Sequence, residues 1–217
     1  MQGIPLNERK RLGALLDDRP QTEVMAMIPQ FSQAETDNFV APPAQIPEAL
    51  GVLMFNMERG VNLPEIQEFL RDCPDIQPFD VILANELDDG CARSGNKNTA
   101  RELAQAFGLN YAWGLEFIEL VNDENAKGFH GNAVFSRWPI RRAGVIRLPE
   151  QYNWYFDRQK RIGGRLAVFA ELDVGGQPVG AVSIHLENRT HGEGRKAQMA
   201  AILEAVRKEL PDMPLIL

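Results

Sequence analysis

Only two cysteines, Cys73 and Cys91, occur in the 217 residues, too few for a disulfide framework or a four-cysteine zinc site. No apolar run approaches the roughly 18–20 residues that a helix needs to cross a bilayer. The opening stretch Met1-Gln-Gly-Ile-Pro-Leu-Asn-Glu-Arg-Lys lacks the apolar segment of a secretory signal. With no oxidising signature, the expected compartment is the reducing cytoplasm. A Gly-x-x-x-x-Gly-Lys-Ser/Thr loop is missing, which excludes nucleotide triphosphate hydrolysis by that route. A Gly-x-Ser-x-Gly elbow is missing too, and with it the usual serine nucleophile. Basic charge is short: 23 Lys and Arg against 30 Asp and Glu give a net charge of −7. That balance argues against a non-specific nucleic-acid coat, although a local basic patch can still bind phosphate.

What remains is ordinary for a soluble globular chain, with 44% hydrophobic and 24% charged residues. The length fits one domain with an appendage. Residues 1–48 read as an N-terminal arm and linker. In it Leu12, Leu15 and Leu16 predict a short amphipathic helix ending before Pro20, and Pro42, Pro43 and Pro47 an extended connector. From Gly51 strands and helices alternate. Val52–Phe55 and Phe79–Ala84 are short continuous apolar runs, the pattern of strands buried on both faces. Asn62, with Pro64 behind it, and Asn98 are placed to cap helices, and Gly108 to end the second in a left-handed conformation. Tyr111–Leu120, Asn132–Phe135 and Gly144–Leu148 are further strands. Arg165–Val174 and Gln177–Leu186 flank Gly175-Gly176, a two-residue hairpin turn. A last helix spans about Gly194–Leu210, with Met199, Ile202, Leu203 and Val206 at helical spacing.

Several polar residues emerge directly from the buried runs. Asn56 and Glu58 follow the first strand and Glu86 the second. In open α/β sheets ligands sit at strand ends, and a carboxylate there suits a hard cation such as Mg²⁺. The plain alternative is a pair of exposed strand-end residues or caps. His185 ends the second hairpin strand, where a hydrogen-bonded structural histidine is the commoner outcome. His191 lies six residues on, a spacing that matches no familiar zinc motif. Between Arg137 and Arg165 eight basic residues face only Glu150 and Asp157, with Trp138, Tyr152, Trp154, Tyr155 and Phe156 interleaved. Arginines of this kind bind phosphate and aromatic faces take bases or sugars, but a solvated basic loop over core aromatics fits equally.

Taken together, the motifs resemble the endonuclease/exonuclease/phosphatase superfamily. Leu53-Met-Phe-Asn56-Met-Glu58 resembles its opening strand, and Val81-Ile-Leu-Ala-Asn85-Glu86-Leu its Gln-Glu metal motif, with Asn85 for the usual Gln. Gly131-Asn132-Ala-Val-Phe-Ser136-Arg137-Trp-Pro-Ile is similar to Gly-Asn-Ala-x-x-Ser-Arg-x-Pro-Ile. Ile184-His185-Leu186 is similar to Thr-His-Leu, and Arg195 with Gln198 repeats an Arg-x-x-Gln on the next helix. The four motifs stand in family order across residues 49–217.

The resemblance implies an α+β fold, a four-layer α/β/β/α sandwich with two facing sheets. It implies Mg²⁺ or Mn²⁺ and hydrolysis of a phosphate ester by in-line attack of water. Glu86 would ligate metal, and Asn56 and Glu58 would position metal or phosphate oxygen. His185 would serve as acid or electrophile, with Asn132 in the cleft. Arg137, Arg165 and Arg195 are the candidate substrate contacts. The expected partner is a phosphoester: nucleic acid, inositol phosphate or phospholipid head group. Family members continue from a strand like Leu215-Ile216-Leu217 into Gly-Asp-x-Asn and later carry Asp-His. This chain stops before both, so the domain is expected to be incomplete at its C-terminus and slow in turnover. A phosphate-binding scaffold of the same fold without catalysis is the alternative.

Overall fold

The computed structural model describes all 217 residues. The chain opens with α1 (Leu6–Ala14), α2 (Gln21–Ala26) and the short strand β1 (Ala34–Asp37). Leu12, Leu16, Val24, Ile28 and Phe31 from this segment are buried in the largest apolar cluster. The segment read as an arm is therefore packed onto the domain, while the proline-rich connector around Pro42–Pro47 is broadly exposed. The strand was not foreseen because Ala-Glu-Thr-Asp carries no apolar alternation; its place is set by pairing with a later strand.

Next come β2 (Val52–Arg59), α3 (Leu63–Asp72), β3 (Val81–Asp89), α4 (Thr99–Phe107), β4 (Asn110–Glu119) and β5 (Phe129–Ser136). They are followed by β6 (Ile140–Arg147), β7 (Arg161–Gly163), β8 (Leu166–Val174), β9 (Gln177–Ile184), α5 (Gly192–Glu209) and β10 (Leu215–Ile216). Local chemistry accounts for the boundaries. The Asn98 side chain accepts the Arg101 N–H to start α4, and Gly108 ends it in the left-handed region. Gly175 and Gly176, at φ +60° and +90°, turn β8 into β9. Asn62 makes no side-chain cap for α3, whose first turn rests on Pro64 instead.

The strands form two sheets. The first runs β1-β4-β5-β3-β2, with β7 also paired to β4, and the second runs β10-β9-β8-β6. Three apolar clusters define the layers. One joins the first sheet to the helices on its outer face, including Leu70, Leu103 and Phe135. A second lies between the sheets, built on Val81, Leu83, Val134, Trp138 and Val168. The third seats Ile202 and Val206 of α5 on the second sheet. The expected α/β/β/α sandwich is present.

One expectation changes. β2 was read as buried on both faces, yet it lies at the edge of the first sheet, where Val52 is 45% and Met54 67% exposed. In register with Val81 and Leu83, both point to the inter-sheet side. The second sheet ends at the two-residue β10 and does not reach over them.

Candidate active site

Strand pairing breaks at one level of the first sheet. The β3–β5 register shifts between Ala84 and Leu87, and the β2–β3 register between Asn56 and Arg59. A bulge of this kind re-aims side chains that the pleat would otherwise alternate. Here Glu58, Arg59 and Glu86 all take positive φ, at 46°, 68° and 59°. Non-glycine residues in that region are held by their surroundings at a cost of about 1–3 kcal/mol each. Asn132 Oδ1, from β5, accepts the Glu86 N–H at 3.0 Å and pins the bulge. Asn56 does the same at the end of β2, accepting the Glu58 N–H at 2.9 Å.

The two sheets are tied together beside this bulge. Asn85 Nδ2 donates to the Ile184 carbonyl at 3.1 Å, and Ser183 Oγ bridges the Ala84 carbonyl and Asn85 Oδ1 at 3.0 and 3.1 Å. His185 follows immediately. Its Nε2 stands 3.7 Å from Glu86 Oε1, and its Nδ1 3.3 Å from Glu116 Oε2. Arg165 Nη1 lies 2.9 Å from the same Nδ1 and 3.1 Å from Glu116 Oε1.

Glu116 has no exposed surface and opens a chain of buried charges. It lies 3.8 Å from His130 Nε2, and His130 Nδ1 is 2.8 Å from Asp88 Oδ1. Arg93 grips Asp88 with two bonds of 2.7 and 2.8 Å. Burial alone would raise both carboxyls. His185 and Arg165 overcome it at Glu116, and Arg93 and His130 at Asp88, holding each at about 2. Arg161 and Arg165 lie within 5.1–5.5 Å of the ring centres of both Phe117 and Trp154. Trp154 Nε1 in turn donates to Glu187 at 2.8 Å. Above this layer opens a cavity of about 550 Å³ lined by Glu86, His130, Trp154 and five arginines.

No family model matches the sequence, and no curated protein matches it. Solved structures do match. The catalytic domain of human Nocturnin with bound sulfate aligns at a TM-score of 0.53 and 19% identity, over 86% of this chain and 66% of that one. The endonuclease/exonuclease/phosphatase from Beutenbergia cavernae DSM 12333 gives 0.52 at 22% identity, over 70% and 43%. A family protein from Leptotrichia buccalis C-1013-b gives 0.50 at 18% identity, over 76% and 65%. The chain has the endonuclease/exonuclease/phosphatase fold. It spans between 43% and 66% of the length of these three structures.

In this endonuclease/exonuclease/phosphatase sandwich, Glu86, His185, Asn132 and Arg165 converge at the bulged end of the sheet, with Asn56 and Glu58 at the adjoining end of β2. Two expected substrate contacts do not join them. Arg137 follows β5 at the opposite end of the sheet, 3.4 Å from Asp80, because Ser136 pairs with Val81 at the start of β3. Arg195 is exposed on α5 and donates to the Thr190 carbonyl at 2.9 Å. The basic stretch divides likewise. Arg141 and Arg142 pair with Asp173, Glu171 and Glu209, whereas Arg158, Arg161 and Arg165 line the cavity. Sequence reasoning missed Glu116, Asp88, His130, Arg59 and Arg189. An acid at mid-strand, as Glu116 is in Leu-Glu-Phe, was the one available signal.

No three His, Cys, Asp or Glu side chains are gathered closely enough to cage an ion. Mg²⁺ asks for less, one or two carboxylates with water and phosphate oxygens completing the shell. Glu86, half-buried on the cavity wall, and the exposed Glu58 are hard oxygen donors of that kind. Asn132, whose Oδ1 is taken by the Glu86 N–H, has a buried Nδ2 without a partner, a hydrogen-bond donor suited to a phosphate oxygen or a metal-bound water and not itself a ligand. The two carboxylates fit Mg²⁺ or Mn²⁺.

Proposed function

We propose that the cleft binds a phosphate ester and hydrolyses it by in-line attack of water. The observation that carries this reading is Glu86, on a cavity wall with five arginines, meeting His185 3.7 Å away. Glu116 and Arg165 both hold the His185 ring at Nδ1, and Nε2, 3.7 Å from Glu86 on the cleft wall, can supply or hold a proton at a phosphoryl oxygen. Arg165 balances Glu116 and adds positive field where negative charge develops. Asn132 keeps Glu86 aimed by accepting its N–H, and Asn56 orients the neighbouring Glu58. A divalent ion held by Glu86 with Glu58 would neutralise phosphate charge and activate water. Nucleic acid, inositol phosphate and phospholipid head groups all present this chemistry, and a cytoplasmic setting supplies the metal.

The test is hydrolysis of bis(4-nitrophenyl) phosphate by residues 1–217. Slow, Mg²⁺-dependent turnover is expected, lost in Glu86→Gln and cut at least 100-fold in His185→Ala. The five arginines of the cavity, which can bind phosphate without a metal, favour a second reading, a phosphate-binding scaffold of the same fold. It requires phosphate binding that survives chelation and His185→Ala, with no turnover under any metal.

A further inference from the structure

The five arginines of the cleft fall into two sets. Arg161 and Arg165 are buried and matched, to Glu119 at 3.0 Å and to Glu116 and Glu187 at 3.1 and 3.3 Å. Arg59, Arg158 and Arg189 line the same cavity without such partners. Arg59 is half-buried with an Nε that nothing accepts from, and its backbone is held at φ +68° between Glu58 and Gly60. Arg158 is exposed and makes no ion pair. Arg189 has only Asp157, at 3.8 Å, and rests over Tyr152 and Trp154 at 5.9 and 6.0 Å. Asp157, on the same cavity wall, accepts the Tyr152 hydroxyl at 2.8 Å and the Gln159 N–H at 3.1 Å and leaves one carboxylate to face three guanidinium groups.

Three guanidinium groups around one cavity repel each other unless anions offset them, and Asp157 offsets only one. One phosphate at Glu86 and His185 does not explain them, since Arg165 already serves that corner. Resting on the hydrolase reading of the same cleft, we infer that Arg59, Arg158 and Arg189 form a second phosphate subsite. The ligand it takes carries at least two phosphates, one reacting at Glu86 and His185 and the next held by this trio. Guanidinium forks match phosphate oxygens in pairs, and Trp154 beneath Arg189 keeps its plane in place. Adjacent phosphodiesters and phosphoanhydrides share this chemistry. The requirement excludes simple monophosphates as preferred ligands.

Calorimetric titration in EDTA separates binding from turnover. Inorganic phosphate, tripolyphosphate and a 5′-phosphorylated thymidine trinucleotide are the probes, against the wild-type chain and an Arg59→Ala/Arg158→Ala/Arg189→Ala variant. One of the two longer probes should bind at least about tenfold tighter than phosphate, and the variant should lose that preference while still binding phosphate. Whichever is tighter identifies the source, a chain of diesters or an anhydride. Should the triple variant misfold by circular dichroism, Arg158→Ala/Arg189→Ala, confined to exposed side chains, is expected to lose most of the preference. Equal affinity for all three probes, or a preference that survives the substitutions, overturns the subsite. Turnover of bis(4-nitrophenyl) phosphate without such a preference sinks this inference alone, and the preference without turnover sinks the hydrolase reading alone.

Discussion

The two ends of β3 are equally buried and chemically opposite. At one end Val81 and Leu83 pack between the sheets against Val134, Trp138 and Val168, an apolar layer. At the other end Asp88, Glu116 and His130 are 0–2% exposed and bind each other and two arginines. The apolar end is stabilised by area removed from water. The charged end gains little net stability from its ion pairs, because desolvation offsets most of the attraction. What it gains is a fixed direction for His185, which a layer of leucines would not supply. Burial alone therefore does not mark a core; the partners of the buried group do.

The largest expected effect comes from removing one member of each end. Glu116→Ala removes one of the two carboxylates beside each of Arg165, His130 and His185 and is expected to cost about 3–5 kcal/mol. Leu83→Ala leaves a cavity between the sheets and should cost about 2–5 kcal/mol. Urea denaturation at pH 7 measures both. The contrast lies in activity: Glu116→Ala should reduce hydrolysis to background, whereas Leu83→Ala, assayed where it is folded, should retain it. Equal loss of activity would mean that the charged layer acts only through stability.

Acid separates the two ends further. Glu116 and Asp88 sit at about 2 in the folded chain, below the ordinary carboxylate range. Each thus contributes stability that is complete above about pH 4.5 and is lost as pH falls toward 2, of order 2–3 kcal/mol per carboxyl. The deficit of Glu116→Gln relative to wild type should shrink over that window, while the deficit of Leu83→Ala stays level. Chemical denaturation at pH 6, 4 and 2.5 reads the difference. A Glu116→Gln deficit that does not move with pH would show that the carboxylate is not what its arginine and histidine neighbours depend on.

Much of this architecture could be read from the sequence, for physical reasons that also mark where reading fails. β8, β9 and their Gly175-Gly176 turn are specified by neighbours in the chain, as are the Asn98 cap and the Gly108 stop. Glu86 and His185 could be picked out because each leaves an apolar run, and Asn132 because it opens one within a motif; the structure brings the three to the same end of the sheets. Arg137 belongs to the same motif as Asn132 yet lies at the far end of β5, because a strand carries successive residues steadily away from a site. Glu116 carries one local signal, an acid at mid-strand, which does not tell what it meets. Only the pairing of β4 with β5, and the crossing of the second sheet, bring it beneath His185. The edge position of β2 was equally invisible, since Val-Leu-Met-Phe reads the same whether or not a sheet covers it.

A smaller effect is expected where the two ends are joined. Asn85 links the bulge to β9 through Ile184 and Ser183. Asn85→Ala should cost about 1–2 kcal/mol, since Ser183 Oγ keeps its bond to the Ala84 carbonyl. The distance between Glu86 and His185 depends on this link, so kcat should fall with little change in KM. An unchanged kcat would show that the sheets hold their spacing by apolar packing alone.

The smallest effect is predicted at Arg137, although the motif ranks it beside Asn132. Its guanidinium is 50% exposed and its contact with Asp80 is 3.4 Å long. Exposed pairs of this kind are worth about 0–1 kcal/mol, and Asp80 keeps its bond to the Gly51 N–H at 2.8 Å without it. Arg137→Ala should therefore shift stability by no more than about 0.5 kcal/mol. It should leave both hydrolysis and phosphate binding unchanged, because the whole length of β3 separates it from the cleft. Arg165→Ala is the matched control in the same basic stretch, and there both should fall. If Arg137→Ala instead weakened phosphate binding as much as Arg165→Ala, the substrate would have to extend along the inter-sheet edge to the far end. The division of β3 into a structural end and a working end would then fail.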